Sequence, residues 1–277
     1  MVTIENGQFC IKTDQIFLNM FNFIYNLLAH PLTQSKDLDD PNTTALRLQI
    51  IRSKPLLRKI YEEWYDRIST NFEEHDCVLE LGSGAGFMRD VMPKLITSEL
   101  FPTPGVACVI DAQAINLDDV SLDGIVMTDV LHHIPDCGAF FHEAKRVVKP
   151  GGKIVMVEPW NNRWARWVYT HLHHEPFEPS AKKWQFPQSG PLSGANGALP
   201  WIIFERDRSL FLKRHPEWDI ESIISLMPLV YLLSGGVSLR NLLPGWLFGL
   251  VRSVERLGFA KQWGMFAEIV LVKNCEH

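Results

Sequence analysis

Glu80-Leu81-Gly82-Ser83-Gly84-Ala85-Gly86 follows directly on the short apolar run Cys77-Val78-Leu79. The next stretch, Phe87 to Met92, has helical composition, so the unit reads as strand, turn and helix. Glycines at such a turn let the backbone approach a ligand closely and take up torsions that other residues resist. A strand, glycine turn and helix form the generic nucleotide-binding corner of an open α/β sheet. The dinucleotide fingerprint Gly-x-Gly-x-x-Gly would need a glycine where Phe87 stands. The spacing is Gly-x-Gly-x-Gly, with an acid two residues ahead, and this disfavours a nicotinamide oxidoreductase.

Downstream, Lys94 to Ser98, Val106 to Ile110, Gly124 to Met127 and Lys153 to Val157 are further short apolar runs. Cys137 to Val148 suits a helix, and Pro150-Gly151-Gly152 is the turn that feeds the fifth strand. Strands alternating with helices imply a mostly parallel sheet covered on both faces, an α/β, Rossmann-like, doubly wound fold. Upstream, residues 1 to 71 read as a helical N-terminal cap. Ser35 to Thr44 is a loop, Pro55 is placed to start a helix, and Leu57, Ile60, Tyr61, Trp64 and Ile68 recur at helical spacing. Residues 72 to 277 form the main domain. After Pro159 the composition shifts, and eight of the nine tryptophans lie from Trp160 onward. Ser189 to Pro200 is a loop, Phe204 to His215 is helical, and Trp218 to Ser225 and Met265 to Lys273 are strands. The apolar insertion Met227 to Gln262 is broken by Gly235-Gly236, Pro244-Gly245 and Gly249. Segments 160–215 and 227–262 are expected to serve the acceptor site or to form a lid.

Apolar residues make up 46% of the 277 and charged residues 21%, ordinary globular usage that allows a sizeable core. A formal net charge of −5 speaks against nucleic-acid binding, which draws its energy from phosphate neutralisation. The five cysteines are scattered, without metal-type spacing, and a reduced, cytoplasmic compartment is the simpler expectation. No basic leader with a cleavage site stands at the N-terminus, and no apolar run reaches the ~18 residues of a membrane span. The nearest, Ile16 to Ala29, gathers Asn19, Asn22 and Asn26 on one helical face. It is expected to pack on the domain, with a peripheral membrane contact as the alternative, although it lacks the Lys/Arg-rich face of an interfacial helix.

The glycine turn with Glu80 resembles motif I of the class I methyltransferases that use S-adenosylmethionine (SAM). Leu122 to Met127 with Thr128-Asp129-Val130-Leu131-His132-His133 resembles the fourth-strand motif of that family. Val147 to Gly152 resembles the turn before its fifth strand. The resemblance implies a seven-stranded core, SAM as cofactor, and a cofactor site built from Glu80, Gly82, Gly84, Gly86, Glu99, Asp111, Ala112 and Thr128. Glu99, at the tip of the second strand, would accept from both ribose hydroxyls. Asp111, after the third, would accept from the adenine amine. Asp129, His132 and His133 end the fourth strand, where ligands collect in such sheets, and are the candidate catalytic groups. The histidine pair has a structural alternative, and Asp129 is equally suited to bind the cofactor amine. Asp123 reads as a turn residue.

The acceptor is expected to be a small, hydrophobic or lipid-like molecule, methylated on oxygen. Glu158 and Trp160 end strand five beside the same crevice, and His174 and Glu175 close a second cluster that begins at His171. His171, His174 and Glu175 are spaced to share one helical face. That set suggests a metal, but no matching ligand pair is evident elsewhere and Pro176 stops a helix, so acceptor binding is expected and no metal. The stretches Leu233 to Gly236 and His174 to Phe177 resemble those of bacterial methyltransferase-domain proteins without an assigned acceptor. Two alternatives stay open: a catalytically silent SAM-binding partner subunit and a membrane-associated lipid methyltransferase.

Overall fold

The computed structural model describes residues 41–84, 86–173, 175–187, 194–257 and 260–275. Two helices, α1 (Pro41–Ser53) and α2 (Pro55–Ser69), precede strand β1 (Val78–Leu81). Then come β2 (Ile96–Glu99), β3 (Cys108–Val109), β4 (Leu122–Thr128), α3 (Cys137–Val147), β5 (Val148–Pro159) and α4 (Arg163–Leu172). The C-terminal part adds α5 (Arg208–Arg214), β6 (Trp218–Leu226), α6 (Val230–Ser234), α7 (Phe248–Arg256) and β7 (Phe266–Lys273). The seven strands form one sheet in the order β3-β2-β1-β4-β5-β7-β6. All run parallel except β7, which is antiparallel to both neighbours. Among the described residues no helix is long and apolar enough to cross a membrane.

The sheet is buried on both faces because its central strands are apolar at successive positions. Ile125 and Met127 of β4, Ile154 and Met156 of β5, and Ile269 and Leu271 of β7 point to one face. There α3 covers them with Phe140, Phe141 and Ala144, joined by Phe204 and Phe211. Val126, Val155, Val157 and Val270 point to the other face, under α2, α4 and Val230. Helix α2 starts at Pro55, whose missing N–H costs nothing in a first turn. Its three-to-four spacing buries Leu56, Leu57, Ile60, Trp64, Tyr65 and Ile68, each contributing about 1.5–3 kcal/mol. So α2 is one layer of the domain, packed directly on the sheet.

Several boundaries differ from expectation. The segment after the glycine turn holds one 3-10 turn, Met88–Asp90, before Pro93 ends it, where a longer helix was expected. The edge strand β3 and its neighbour β2 are shifted and short. Residues 41 to 44 open α1 instead of continuing a loop, because Pro41 suits a helix start. The expected Phe204–His215 helix is divided between a π turn, Ile202–Arg206, and α5. Asp123, expected in a turn, lies in β4 and accepts from Cys77 N and Lys149 Nζ, both at 2.8 Å. The expected helix over Ile16 to Ala29 lies outside the described residues.

The insertion is fastened to the N-terminal helices at two places. Lys54, buried between α1 and α2, donates from Nζ to the carbonyls of Gly236 and Leu239, the latter at 2.7 Å. Burial lowers that ammonium to about 8. Buried Arg252 of α7 bridges Glu63 of α2 and Glu255. Glu255 in turn accepts from Leu229 N and Val230 N, at 2.7 and 2.8 Å, at the start of α6.

Candidate active site

Strand order reverses between β1 and β4, and a cavity of about 500 Å³ opens at the carboxyl ends of these strands. One wall is the glycine turn. Its Ser83 N donates to Ser98 O (2.9 Å), Ser98 N to Ser83 Oγ (3.0 Å) and Gly86 N to Ser83 O (2.7 Å), which pins the turn against β2. Gly82 has φ +64, and a Cβ there would stand 2.6 Å from Val130 Cγ2. A Cβ on Gly86 would meet Tyr65 Oη and Ser83 O, each at 2.8 Å. Ala85, between them, lies outside the described residues.

Glu80, Gly82, Gly84, Gly86, Glu99, Asp111, Ala112 and Thr128 all line this cavity. Burial pushes the Glu80 carboxyl up to about 7, with Ser83 opposing and the nearby Glu99 adding to the rise. Burial also raises Glu99, against hydrogen bonds from the backbone of Leu100 (3.0 Å) and Gly84. Asp111 accepts from Gln113 N (2.9 Å) and Nε2 (3.3 Å). Thr128 Oγ1 is buried without a hydrogen-bond partner, a cost that a ligand atom would relieve.

Beyond Thr128 the chain turns sharply. Asp129 has φ +64, a left-handed torsion rare outside glycine, asparagine and aspartate, fixed by its N–H bond to Val157 O (2.8 Å). Its side chain is 38% exposed, and that surface opens into the cavity it lines. Desolvation raises its carboxyl to about 7, with His132 opposing and Glu175 reinforcing. Glu158 and Trp160, expected to line the acceptor site, do not. Glu158 is fully buried: Oε1 accepts from Val130 N (2.8 Å) and Leu131 N (2.7 Å), and Oε2 binds His132 Nδ1 (2.8 Å). It shapes the loop after β4 from behind. Trp160 packs into the core with α3, since β5 carries it past the cavity rim.

His132 is fully buried and His133 reaches the cavity. Burial by itself would lower His132, but hydrogen bonds to Glu158 and Glu175 outweigh it and hold the ring well above its ordinary value. His133 is lowered to about 4 by burial and by His132, so it is neutral. Its Nδ1 lies 3.1 Å from Gly194 O; a carbonyl only accepts, so Nδ1 carries the proton and Nε2 the lone pair. Glu175 Oε2 lies 3.5 Å from His132 Nε2, and Oε1 3.8 Å from His133 Nε2. Burial opposes ionisation of Glu175, but the hydrogen bond and charge of His132 hold it well below the usual carboxylate range. The expectation that no ligand pair matches the second cluster is thus corrected: folding brings the first histidine pair to Glu175. The shared helical face is corrected too, because α4 ends at Leu172. His174 lies outside the described residues.

Sequence reasoning missed the rest of the lining. Arg47, Ile50 and Ile51 come from α1, Tyr61 and Tyr65 from α2, Tyr169 from α4, and Tyr231 to Leu239 in part from the insertion. Tyr61 and Tyr65 were legible as one face by their spacing of four. Among the described residues, and apart from Arg47, the lining's charged groups other than histidine are acids, Glu80, Glu99, Asp111, Asp129 and Glu175. An acid-lined cavity with a bare peptide turn, vicinal acceptors at strand tips and an orphaned hydroxyl fits a sulfonium nucleoside. Glu99 and Asp111 would hold its ribose and adenine, the glycine turn its methionine part.

The sequence profile of the "Methyltransferase domain" family matches residues 56–190. Over 100 residues the chain is 34% identical to 2-methyl-6-phytyl-1,4-hydroquinone methyltransferase of Synechocystis sp., covering 35% of this chain and 31% of that protein. The match thus spans about a third of that relative's length. Among solved structures, the methyltransferase held in complex with the Trm112 methyltransferase activator of Haloferax volcanii superposes with TM-score 0.51 at 15% identity, over 87% of this chain and 99% of that one. An S-adenosylmethionine dependent methyltransferase from Mesorhizobium loti gives 0.44 at 13%, over 75% and 96%. At such identities the likeness is one of fold. With the strand order, the glycine turn and the family match in agreement, residues 56–190 match the methyltransferase domain family, and the fold is the seven-stranded, Rossmann-like one of class I SAM-dependent methyltransferases.

Proposed function

We propose that the protein transfers a methyl group from SAM to a hydroxyl oxygen of a small, largely apolar acceptor. The observation that carries this is that one cavity is lined both by acids at the strand ends, Glu80, Glu99 and Asp111, and by the apolar or aromatic Ile50, Ile51, Val168, Leu172, Tyr231 and Leu232. Asp129, His133 and Glu175 belong to the same lining. SAM, when bound, supplies a methyl group on a positively charged sulfur. Glu99 accepts from the ribose hydroxyls and fixes the cofactor, and the apolar wall aligns the acceptor, so most of the acceleration is positional. Tyr61, Tyr65, Tyr169 and Tyr231 line the cavity, and a bound acceptor that displaced water from it would favour a step in which charge disappears. Asp129, on the cavity wall, is the group placed to take the hydroxyl proton. The name of the Synechocystis relative couples methyl transfer to a phytyl-bearing hydroquinone, an apolar molecule with hydroxyls, and so supports the acceptor class.

The test is incubation with methyl-labelled SAM and a panel of apolar phenols, hydroquinones and alcohols, with the labelled atom located by mass spectrometry. Label on oxygen of one class is expected. SAM binding with no transfer to any acceptor would favour the silent partner subunit, and label on nitrogen or carbon would refute O-methylation. Exposed Trp246, Leu250, Val254 and Leu257, on α7 and its flanks, favour a second reading in which the acceptor is taken from a membrane surface. Flotation with anionic vesicles that is lost in Leu250→Asp would support it, and absence of flotation by the parent would end it.

A further inference from the structure

We propose that His132, His133 and Glu175 form a divalent metal site, with zinc the best-fitting ion, and that the ion binds the acceptor's hydroxyl oxygen. Among the described residues these three are a group whose ligand atoms lie within 4.8 Å of one another. Ligands about 2.0–2.1 Å from a tetrahedral zinc stand about 3.4 Å apart. Glu175 presents Oε2 to His132 Nε2 at 3.5 Å and Oε1 to His133 Nε2 at 3.8 Å, so turning one carboxylate oxygen between the two rings would draw the three ligand atoms in toward that figure.

Both imidazoles are prepared for the role from behind. Each has Nδ1 committed to an acceptor, Glu158 Oε2 for His132 and Gly194 O for His133. A ligating histidine held through its other nitrogen by a carboxylate or carbonyl is the usual support of a metal site, because it fixes the ring and makes the ligand more basic. His132 Nε2 is buried and faces Glu175 Oε2 at 3.5 Å, so both nitrogens of the ring lie against carboxylates. Three carboxyl groups, Glu158, Glu175 and Asp129, converge on this one ring, at 2.8, 3.5 and 4.0 Å. A divalent ion would balance that charge. Two imidazoles and one carboxylate suit zinc better than magnesium or calcium, which prefer all-oxygen shells. Three protein ligands also leave a position open, as catalytic zinc sites do, and Glu175 and His133 face the cavity where the acceptor must lie.

The acceptor part of the proposal rests on the hydroxyl acceptor proposed above; the metal site does not. In the full step the hydroxyl oxygen, bound to the ion, gives its proton to Asp129. Its lone pair forms the O–CH3 bond as the CH3–S bond breaks, and sulfur keeps that electron pair as a neutral thioether.

The experiment uses the full chain in a Cys275→Ser background, since Cys275 is an exposed thiol that would collect zinc adventitiously. Chelator-stripped protein is titrated with Zn²⁺ alone and with Co²⁺ alone, read by metal analysis and by the cobalt visible spectrum, and circular dichroism checks the fold of every variant. One ion per chain is expected, with a four- or five-coordinate cobalt spectrum. Glu175→Gln and His133→Ala should weaken it at least about ten-fold, and Glu158→Gln, through His132, by roughly 10–100-fold. Absence of stoichiometric binding by the parent, or full binding by folded Glu175→Gln and His133→Ala, overturns the site. Calorimetry with SAM on stripped protein separates the two readings: metal binding without SAM binding would refute the methyl-transfer reading and leave the site standing. If a methyl acceptor is found and chelation leaves its turnover unchanged, the acceptor-binding half is refuted.

Discussion

Glu80→Gln should make the protein more stable above neutral pH while weakening its grip on the cofactor. Glu80 is 4% exposed, and burial lifts its carboxyl from 4.5 to about 7. In the unfolded chain the group ionises near 4.5, whereas in the fold it keeps its proton up to about 7. Between those values the folded state binds more protons, so stability falls as pH rises, by about 1.4 kcal/mol per unit. The loss is complete above 7 and amounts to about 3 kcal/mol. Glutamine has nearly the same shape and no charge to desolvate, so the variant escapes the penalty. Urea unfolding of parent and variant, without cofactor, at pH 5 and pH 8 measures this directly. The two should nearly coincide at pH 5 and separate at pH 8, with the variant more stable by up to about 3 kcal/mol. Calorimetry at pH 8 should show weaker SAM binding by the variant, the trade expected where a site carries a costly buried charge. A stability difference independent of pH, or a variant less stable at pH 8, would refute the reasoning.

Gly82→Ala should cost about 1–3 kcal/mol in thermal or urea unfolding, from its left-handed torsion and the close Val130 methyl, and should also reduce SAM affinity in calorimetry. Glu99→Ala should weaken SAM binding by roughly 1–3 kcal/mol through lost charge-assisted hydrogen bonds, with little change in unfolding midpoint; unchanged affinity would place the ribose elsewhere. Arg252→Ala should destabilise the chain by about 3–5 kcal/mol, because Glu255 would stay buried without its cation, and a joint Arg252→Met, Glu255→Gln variant should recover part of that loss.

The central strands were legible because burial on both faces leaves a continuous apolar run, and β1, β4, β5 and β7 carry one. The strands at the β3 end of the sheet were not: β2 is short and buried but polar, with Thr97, Ser98 and Glu99, β3 is two partly exposed residues, and loops with proline flank them, so propensity alone misplaces their ends. The glycine turn follows from local spacing, and the residues expected at the cofactor site, Glu99 and Asp111 included, do share one cavity. The rest of the site depends on tertiary approach. Glu175 reads as the end of a polar cluster until the chain after α4 brings it against His132 and His133. Glu158 reads as a strand-end acid, yet it is withdrawn beneath the loop it organises. The tryptophan-rich segment after Pro159 was expected to serve the acceptor site or form a lid, but the aromatic lining is tyrosine from α2, α4 and α6. Trp164 and Trp167 instead stack on each other, and Trp218 fills the core.

The Lys54 and Arg252 fastenings tie α1, α2 and the 227–257 insertion into a single roof over the crevice. A molecule entering the crevice therefore meets pieces that are distant in sequence but fastened together, while the glycine turn and the strand ends supply the floor. Floor and roof can diverge separately over evolution: rewriting the roof changes which compound is received, and the reaction performed beneath it stays the same.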